Sequence, residues 1–331
     1  MQPQNHNTID DEVQEINEER TLIKAAKDQN VILVQSILKI GADVNVQDEN
    51  GSTPLHIVSE NGNAPIADLL LRFGAKVNIQ NSKNETPIYF AVISRHFEVV
   101  EKLLANSADL NVEGEPLLHL AIDKKIGQPN LQIVKKLIDY GANIETQDQS
   151  GRSPLRLALL QRNDEIIKVL LLYGAKFSMI IFSLLALKGD PETVQIMLDH
   201  GAELKNFDGL PQIVVHGRLD VLRVLIRHGV DLNRYTLFGN VPLNFAIGRN
   251  LMKIIFELLK NGANPNLPDR RNGNTPVHYA TKFPCDLEVF LNSGVFLGLN
   301  MRNDNGETVL ELALTRGRKD TAKMIFHYNH N

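Results

Sequence analysis

Apolar residues recur along the chain in pairs of short segments with helical spacing. After Pro54, apolar side chains follow at intervals that place them on one face of a helix. The turn Asn61-Gly62-Asn63 then intervenes, and a second amphipathic segment spans residues 66–71. Gly74 follows this segment, and glycine in a left-handed conformation is a common C-terminal helix cap. The pattern therefore predicts two short helices joined by a tight turn and ended by glycine.

Two short strings repeat this helix pair at a nearly constant period. A string similar to Gly-Ala-Asp-Val-Asn begins at Gly41, Gly74, Ser107, Gly141, Gly174, Gly201, Gly229, Gly262 and Gly294. Its successive starts differ by 33, 33, 34, 33, 27, 28, 33 and 32 residues. A string similar to Thr-Pro-Leu-His begins at Thr53, Thr86, Ser153, Val241 and Thr275. Thr and Ser suit a helix N-cap and Pro suits the first helical turn, so each copy predicts a helix start.

Together these strings resemble the ankyrin repeat, whose pattern includes T-P-L-H-x-A at a period of about 33 residues. The resemblance covers residues 21–328, in about nine to ten tandem copies. It implies an all-α solenoid of stacked helix-turn-helix units, with β-hairpin fingers that project to one side. Residues 1–20 are predicted to form an acidic N-terminal tail and capping helix, because the end of a solenoid needs a polar outer face.

The repeat is irregular near residues 178–209. Two spacings fall to 27 and 28 residues there, and the Thr-Pro-Leu-His string is replaced by an apolar run at residues 179–182. We expect shortened fingers in this segment. Two interpretations remain open: the segment divides the array into two rigid blocks, or it is diverged sequence with ordinary repeat geometry.

Composition and charge narrow the classes of partner. The hydrophobic fraction of 43% and the charged fraction of 22% are typical of a folded, soluble protein. The net charge of -4 gives no global reason to bind nucleic acid, although residues 232–331 carry twelve basic and eight acidic side chains. No segment reaches the roughly 18 apolar residues of a membrane helix, and residues 1–20 lack a signal-peptide core. We therefore predict an intracellular, cytoplasmic protein with neither a nucleic-acid nor a membrane partner.

Motifs that carry chemistry are absent from the sequence. There is no phosphate-binding loop, dinucleotide fingerprint, His-Glu-x-x-His motif or Cys pair at zinc spacing. The single cysteine, Cys285, is expected to be a buried thiol. The ankyrin resemblance implies structural hydrogen bonds for two recurring sets, His56, His119 and His278 and the finger residues Asn45, Asn78, Asn111 and Asn233. The sequence thus predicts no enzyme, no cofactor and no metal ion.

Ankyrin proteins bind partners through their inner helices and finger tips, so the resemblance implies candidate contacts. The exposed ends of the inner helices are apolar at Ile93, Leu160, Leu187 and Val215. These residues predict a hydrophobic stripe in a groove, flanked by polar residues as in an interface core. Alternatively, the irregular central repeats bury them under their own loops.

Two predicted finger tips complete the set of candidate contacts. They are Leu237-Phe238 and Arg270-Arg271. An aromatic side chain at a solvent-facing tip is unfavourable unless it is covered, and aromatic and Arg residues often dominate binding energy. We therefore predict a monomeric scaffold or adaptor that binds a partner protein through the concave groove and finger tips. The alternative is a secreted effector or inhibitor from an intracellular microbe that occupies a host protein with the same fold.

Overall fold

A computed structural model describes residues 21–111, 114–188, 190–205 and 207–330. For residues 329 and 330 it describes the backbone only. The predicted acidic tail and capping helix, residues 1–20, lie outside the described residues. Every regular element in the described ranges is a helix, and none of their residues is in a strand. The prediction of an all-α fold is confirmed for this part of the chain.

The structure divides into two compact units, with the boundary between Lys176 and Phe177. The first unit contains α1 (21–27), α2 (Val31–Lys39), α3 (Pro54–Asn61), α4 (Ala64–Arg72), α5 (Pro87–Ile93), α6 (Phe97–Ala105), α7 (Leu117–Ile122), α8 (Leu131–Asp139), α9 (Pro154–Leu160) and α10 (Asp164–Leu172). The second unit contains α11 (Met179–Lys188), α12 (Pro191–Asp199), α13 (Leu210–Val215), α14 (Leu219–Arg227), α15 (Pro242–Gly248), α16 (Met252–Lys260), α17 (Pro276–Ala280), α18 (Pro284–Leu291), α19 (Val309–Thr315) and α20 (Lys319–His330).

Within each unit the helices pack as repeated pairs. From α3 onwards, an odd-numbered helix packs against the even-numbered helix that follows it. Inside either unit, odd-numbered helices from α3 onwards also stack on the next odd-numbered helix, and even-numbered helices stack on the next even-numbered one. Side chains such as Leu70, Val99 and Leu137 are completely buried between the layers. Each pair therefore completes its core with its neighbours, as expected of a repeat architecture.

Helix boundaries follow the local signals in the sequence. The helices α3, α5, α9, α15 and α17 all begin at the proline of the Thr-Pro-Leu-His-like string. The glycines that follow the second helices, including Gly74 and Gly262, have positive φ angles of 87° and 95°. These observations confirm the predicted helix starts and glycine caps, which depend only on neighbouring residues.

The predicted β-hairpin fingers are not confirmed, because the described residues of the fingers form turns and none is in a strand. Between α2 and α3, the Asp48 N–H donates to the Ser52 carbonyl at 3.0 Å, and the Gly51 N–H donates to the Asp48 carbonyl at 2.8 Å. The Asp48 carboxylate accepts the N–H groups of Asn50 and Ser52, both at 3.0 Å. A side chain that accepts backbone donors closes the turn locally, so no strand ladder forms.

Connections are short in the segment predicted to be irregular. Residues 173–178 link α10 to α11, and residues 200–209 link α12 to α13. By comparison, residues 73–86 link α4 to α5 and residues 228–241 link α14 to α15. The connection at 200–209 is thus four residues shorter than the one at 228–241.

Candidate functional site

Asparagine side chains join successive fingers at equivalent positions. Asn78 Oδ1 accepts the Asp109 N–H at 2.8 Å, and Asn78 Nδ2 donates to the Ser107 carbonyl at 3.2 Å. Asn233 forms the same pair of bonds with the Asn264 N–H and the Gly262 carbonyl. These amides satisfy backbone groups of the next repeat, so their role is structural.

The recurring histidines also hold neighbouring repeats together. His56 Nδ1 accepts the Thr53 N–H at 3.1 Å, and His56 Nε2 lies 3.1 Å from the Glu85 carbonyl oxygen, to which it donates. Burial lowers the pKa of His56, which favours the neutral ring that this arrangement requires. His278 makes equivalent contacts with Thr275 and the Glu307 carbonyl.

The four predicted stripe residues lie at the ends of first helices in both units. Ile93 is half-buried and Leu160 is 63% exposed in the first unit. In the second unit, Leu187 and Val215 are half-buried. None of the four is fully buried under a loop. Because the set extends over two units, one continuous stripe remains a prediction.

A groove of about 430 Å³ lies in the second unit, between the short connection at 200–209 and the finger at 228–241. It brings together three predicted residues, Val215, Leu237 and Phe238. Its other apolar lining residues include Phe207, Leu210, Tyr235, Pro242 and Phe245. Leu237 is completely exposed and Phe238 is 75% exposed at the rim.

The short connection contributes Phe207 and Asp208 to the lining of the groove. Phe207 is buried and packs edge-to-face on Phe182, with ring centroids 5.2 Å apart. A Cβ atom at Gly209 would lie 2.5 Å from the Phe207 ring, so this close packing requires glycine. The shorter connection therefore leaves the apolar side of the next finger uncovered.

Backbone bonds fix the finger that carries Leu237 and Phe238. The Thr236 N–H donates to the Asn240 carbonyl at 2.8 Å, and the Gly239 N–H donates to the Thr236 carbonyl at 2.9 Å. Gly239 has a φ of +78°, and its carbonyl accepts the N–H of Arg270 in the next finger at 3.2 Å. Leu237 and Phe238 are thus presented on a preorganised tip.

The two predicted arginines differ in their surroundings. Arg270 stacks on Tyr235, with the guanidinium carbon 4.3 Å from the ring centroid. Arg271 donates two bonds to the fully buried Asp269 carboxylate, which also accepts the Tyr279 hydroxyl. Burial alone would raise the pKa of Asp269, but bonds from Arg271 and Tyr279 bring it below its ordinary value. Arg270 therefore supports the groove wall, and Arg271 forms an internal ion pair.

A second pocket of about 230 Å³ adjoins the groove, because Phe245 lines both cavities. Its polar lining residues are Asn240, Asn244, Arg271, Tyr279 and Lys282. The Lys282 ammonium lies 5.2 Å from the Phe283 ring centroid. Lys282 forms no ion pair with a carboxylate of the described residues. The groove is lined mainly by apolar side chains, and the second pocket presents the ammonium group of Lys282.

Cys285 is exposed, so the expectation of a buried thiol is wrong. Cys285 is the second residue of α18, and the next residue, Asp286, is the one that points into the core. In the described ranges, no three His, Cys, Asp or Glu side chains are grouped closely enough to hold a metal ion. No helix there combines the length and apolar character needed to cross a membrane.

Comparison with known proteins decides the family. Sequence models described as ankyrin repeats match residues 22–114, 108–181 and 217–280. The chain belongs to the ankyrin-repeat family. Ankyrin repeats mediate protein–protein interaction, so a groove in such a chain is first considered as a surface for another protein.

Relatives of this ankyrin-repeat chain include viral and vertebrate proteins. An ankyrin repeat protein of Acanthamoeba polyphaga mimivirus is 28% identical over 45% of this chain and 22% of its own length. The nuclear factor NF-kappa-B p105 subunit of Gallus gallus is 27% identical over 50% of this chain and 19% of its own. Cyclin-dependent kinase 4 inhibitor B of Bos taurus is 31% identical over 35% of this chain and 88% of its own. The chain thus spans about a fifth of the first two relatives.

In the ankyrin-repeat array, sequence patterns found the groove only in part. Val215, Leu237 and Phe238 were predicted because each lies at a regular repeat position. Phe207 and Phe245 were missed, since their place in the wall depends on packing between neighbouring repeats. The reduced spacing before Gly229 was the available signal, because a shortened connection uncovers the finger beside it.

Proposed function

We propose that the chain is a monomeric scaffold or adaptor that binds a partner protein at the groove of the second unit. The main support for this proposal is that an apolar groove has two exposed apolar side chains, Leu237 and Phe238, on its rim. Exposed apolar patches rimmed by polar residues mark interaction sites, and aromatic anchors contribute strongly to affinity. The proposal requires neither a cofactor nor a catalytic group.

The remaining predicted residues lie outside the groove and are proposed as further contacts within each unit. Leu187 and Arg270 contribute contacts in the second unit, and Arg271 acts through its ion pair with Asp269. In the first unit, Leu160 offers the larger exposed apolar side chain and Ile93 a half-buried one. We propose that these residues add peripheral contacts, whereas the groove provides the anchor.

Affinity capture from the native cell, with quantitative mass spectrometry, tests the proposal. Phe238→Ala is expected to lower the recovery of a specific partner, because the variant lacks the aromatic anchor. An aromatic anchor contributes roughly 2 kcal/mol, so the affinity should fall about thirtyfold. Phe296→Ala is a matched control, because Phe296 is 83% exposed in the same unit and does not line the groove.

Both variants should unfold at the temperature of the unmodified protein, because each removes an exposed side chain. If Phe238→Ala and Phe296→Ala both recover every partner as well as the unmodified protein does, the groove is not the binding surface. Equal loss in both variants would also contradict the assignment.

The second hypothesis, an effector that occupies a host protein, uses the same groove. Ankyrin repeat proteins of mimivirus and of Fowlpox virus are among the relatives, and these are compatible with it. The origin of the captured partner separates the two proposals. A partner encoded by the same genome supports an endogenous adaptor, whereas a groove-dependent partner from a host cell supports the effector.

A further inference from the structure

Basic side chains outnumber acidic ones in the segment from which the lining of the second pocket is drawn. Residues 240–283 contain six basic side chains, Arg249, Lys253, Lys260, Arg270, Arg271 and Lys282. The same range contains two acidic ones, Glu257 and Asp269. Both acids are engaged, since Glu257 pairs with Arg223 at 2.9 Å and Asp269 pairs with Arg271 at 3.0 Å. Of the two cations that line the pocket, Arg271 is paired with Asp269, whereas Lys282 is exposed and has no carboxylate partner among the described residues.

The rim near the short connection carries two acidic side chains, Asp208 and Asp231, and one basic side chain, Arg234. Arg234 lies 3.3 Å from the Asp208 carboxylate and also donates to the Lys205 carbonyl. Asp231 accepts the Asn233 N–H at 2.9 Å. The cation on this side already has acceptors, so a carboxylate of a ligand gains less here than beside Lys282.

The shared wall at Phe245 connects the two cavities. A side chain in the groove and a side chain in the second pocket can thus belong to one short extended segment, in which successive residues advance about 3.3 Å. The groove favours a bulky apolar side chain because its lining includes Phe207, Phe238 and Phe245. The second pocket favours a carboxylate, which Lys282 can pair with directly.

We propose that the second unit recognises an acidic, apolar-anchored peptide segment of its partner. A bulky apolar side chain occupies the groove, and an Asp or Glu within a few residues of it pairs with Lys282 in the second pocket. This inference rests on the proposed function and specifies the chemistry of the partner. Charge complementarity of this kind gives specificity and accelerates association.

Selection of phage-displayed random peptides on the chain of 331 residues tests the inference without knowledge of the native partner. We expect enriched peptides to combine an aromatic or large aliphatic residue with a nearby Asp or Glu. Synthetic copies are then measured by fluorescence polarisation. Phe238→Ala should weaken binding at least about tenfold.

Variants of Lys282 test the acidic position specifically. Lys282→Gln should weaken the acidic peptide about tenfold, yet leave a copy with Gln in place of its acid nearly unchanged. Lys253→Gln is the matched control, because Lys253 is exposed in the same basic range and does not line the pocket. It should change neither affinity.

Each contrary outcome has a defined meaning. The inference is overturned if the enriched peptides depend on Phe238 but lack acidic residues. It is also overturned if the peptides lose equal affinity for Lys282→Gln and Lys253→Gln. Both results leave the proposed function intact. Peptides that are unaffected by Phe238→Ala overturn both. A folded chain that enriches no peptide overturns the inference alone, since capture from the native cell tests the groove independently.

Discussion

At the scale of single residues, Asp286 lies where the repeat ordinarily places an apolar side chain. It is the third residue of α18 and is completely buried, and neither carboxylate oxygen has a hydrogen-bond partner in the described structure. The third residues of α4, α6 and α10 are the buried Ile66, Val99 and Ile166. Burial raises the pKa of Asp286 to about 6.

Replacing this carboxylate should stabilise the second unit. We expect Asp286→Val to increase the free energy of unfolding at pH 7 by about 1–3 kcal/mol, because an unpaired buried charge is removed. Guanidinium unfolding monitored by circular dichroism measures the change. Glu288→Gln, an exposed acid on the same helix, is the control and should have little effect.

The stability difference between Asp286→Val and the unmodified protein should depend on pH. The folded-state pKa of about 6 lies above the ordinary value near 4, so the folded state binds more protons between these values. Stability of the unmodified protein should thus fall as pH rises from about 4 to 6, and the advantage of Asp286→Val should shrink on acidification. A difference constant from pH 4 to 7 would contradict this assignment.

At the scale of helices and turns, α7 begins without the cap that α3 and α17 possess. In α3, the Thr53 N–H donates to His56 Nδ1. The corresponding residue of α7 is Pro116, which has no N–H, and Nδ1 of the buried His119 has no partner in the described structure. His119 still reaches the next finger, since Nε2 lies 2.7 Å from the Arg152 carbonyl.

Restoring this cap should stabilise the first unit. Pro116 has φ -60° and ψ 136°, an extended conformation that Thr adopts without strain. We expect Pro116→Thr to raise the free energy of unfolding by about 1 kcal/mol, after the loss of proline rigidity in the unfolded chain is subtracted. Pro116→Ala regains only the N–H and should gain less. Equal unfolding midpoints for all three proteins would refute the role of the missing donor.

Sequence patterns predicted elements well where neighbouring residues determine the structure. Pro54 and Gly74 act through their own φ angles, so the helix starts and caps agree with the structure. The hairpins were predicted from resemblance alone and are not confirmed in the described residues. In the finger between α2 and α3, the Asp48 carboxylate accepts backbone N–H groups of the turn. Leu237 was located by its turn, whereas Phe245 required knowledge of how two repeats pack.

At the scale of the whole molecule, net charge conceals an uneven distribution. The chain carries -4 overall, while residues 232–331 carry twelve basic and eight acidic side chains, a difference of +4. Lys282 of the second pocket belongs to this basic range, and positive charge attracts ligands of the opposite sign. The acidic peptide proposed above should thus associate faster at low ionic strength.

Stopped-flow fluorescence checks this electrostatic effect. Raising the salt concentration from about 0.01 M to 0.1 M shortens the Debye length from roughly 30 to 10 Å, so the association rate should fall several-fold. The dissociation rate should change less, because the apolar anchor determines residence in the groove. An association rate independent of salt would count against electrostatic attraction.

The short connection at residues 200–209 has a consequence for how such proteins diversify. It differs in length by four residues from the connection at 228–241, yet the helices on either side of each keep the same stacking. A finger that is shorter by a few residues can thus leave a cavity beside it, while the packing between the helices stays the same. Repeat arrays can thus acquire a new recognition site when one finger is shortened. Only the two repeats that border this finger are affected, because each repeat contacts only its neighbours.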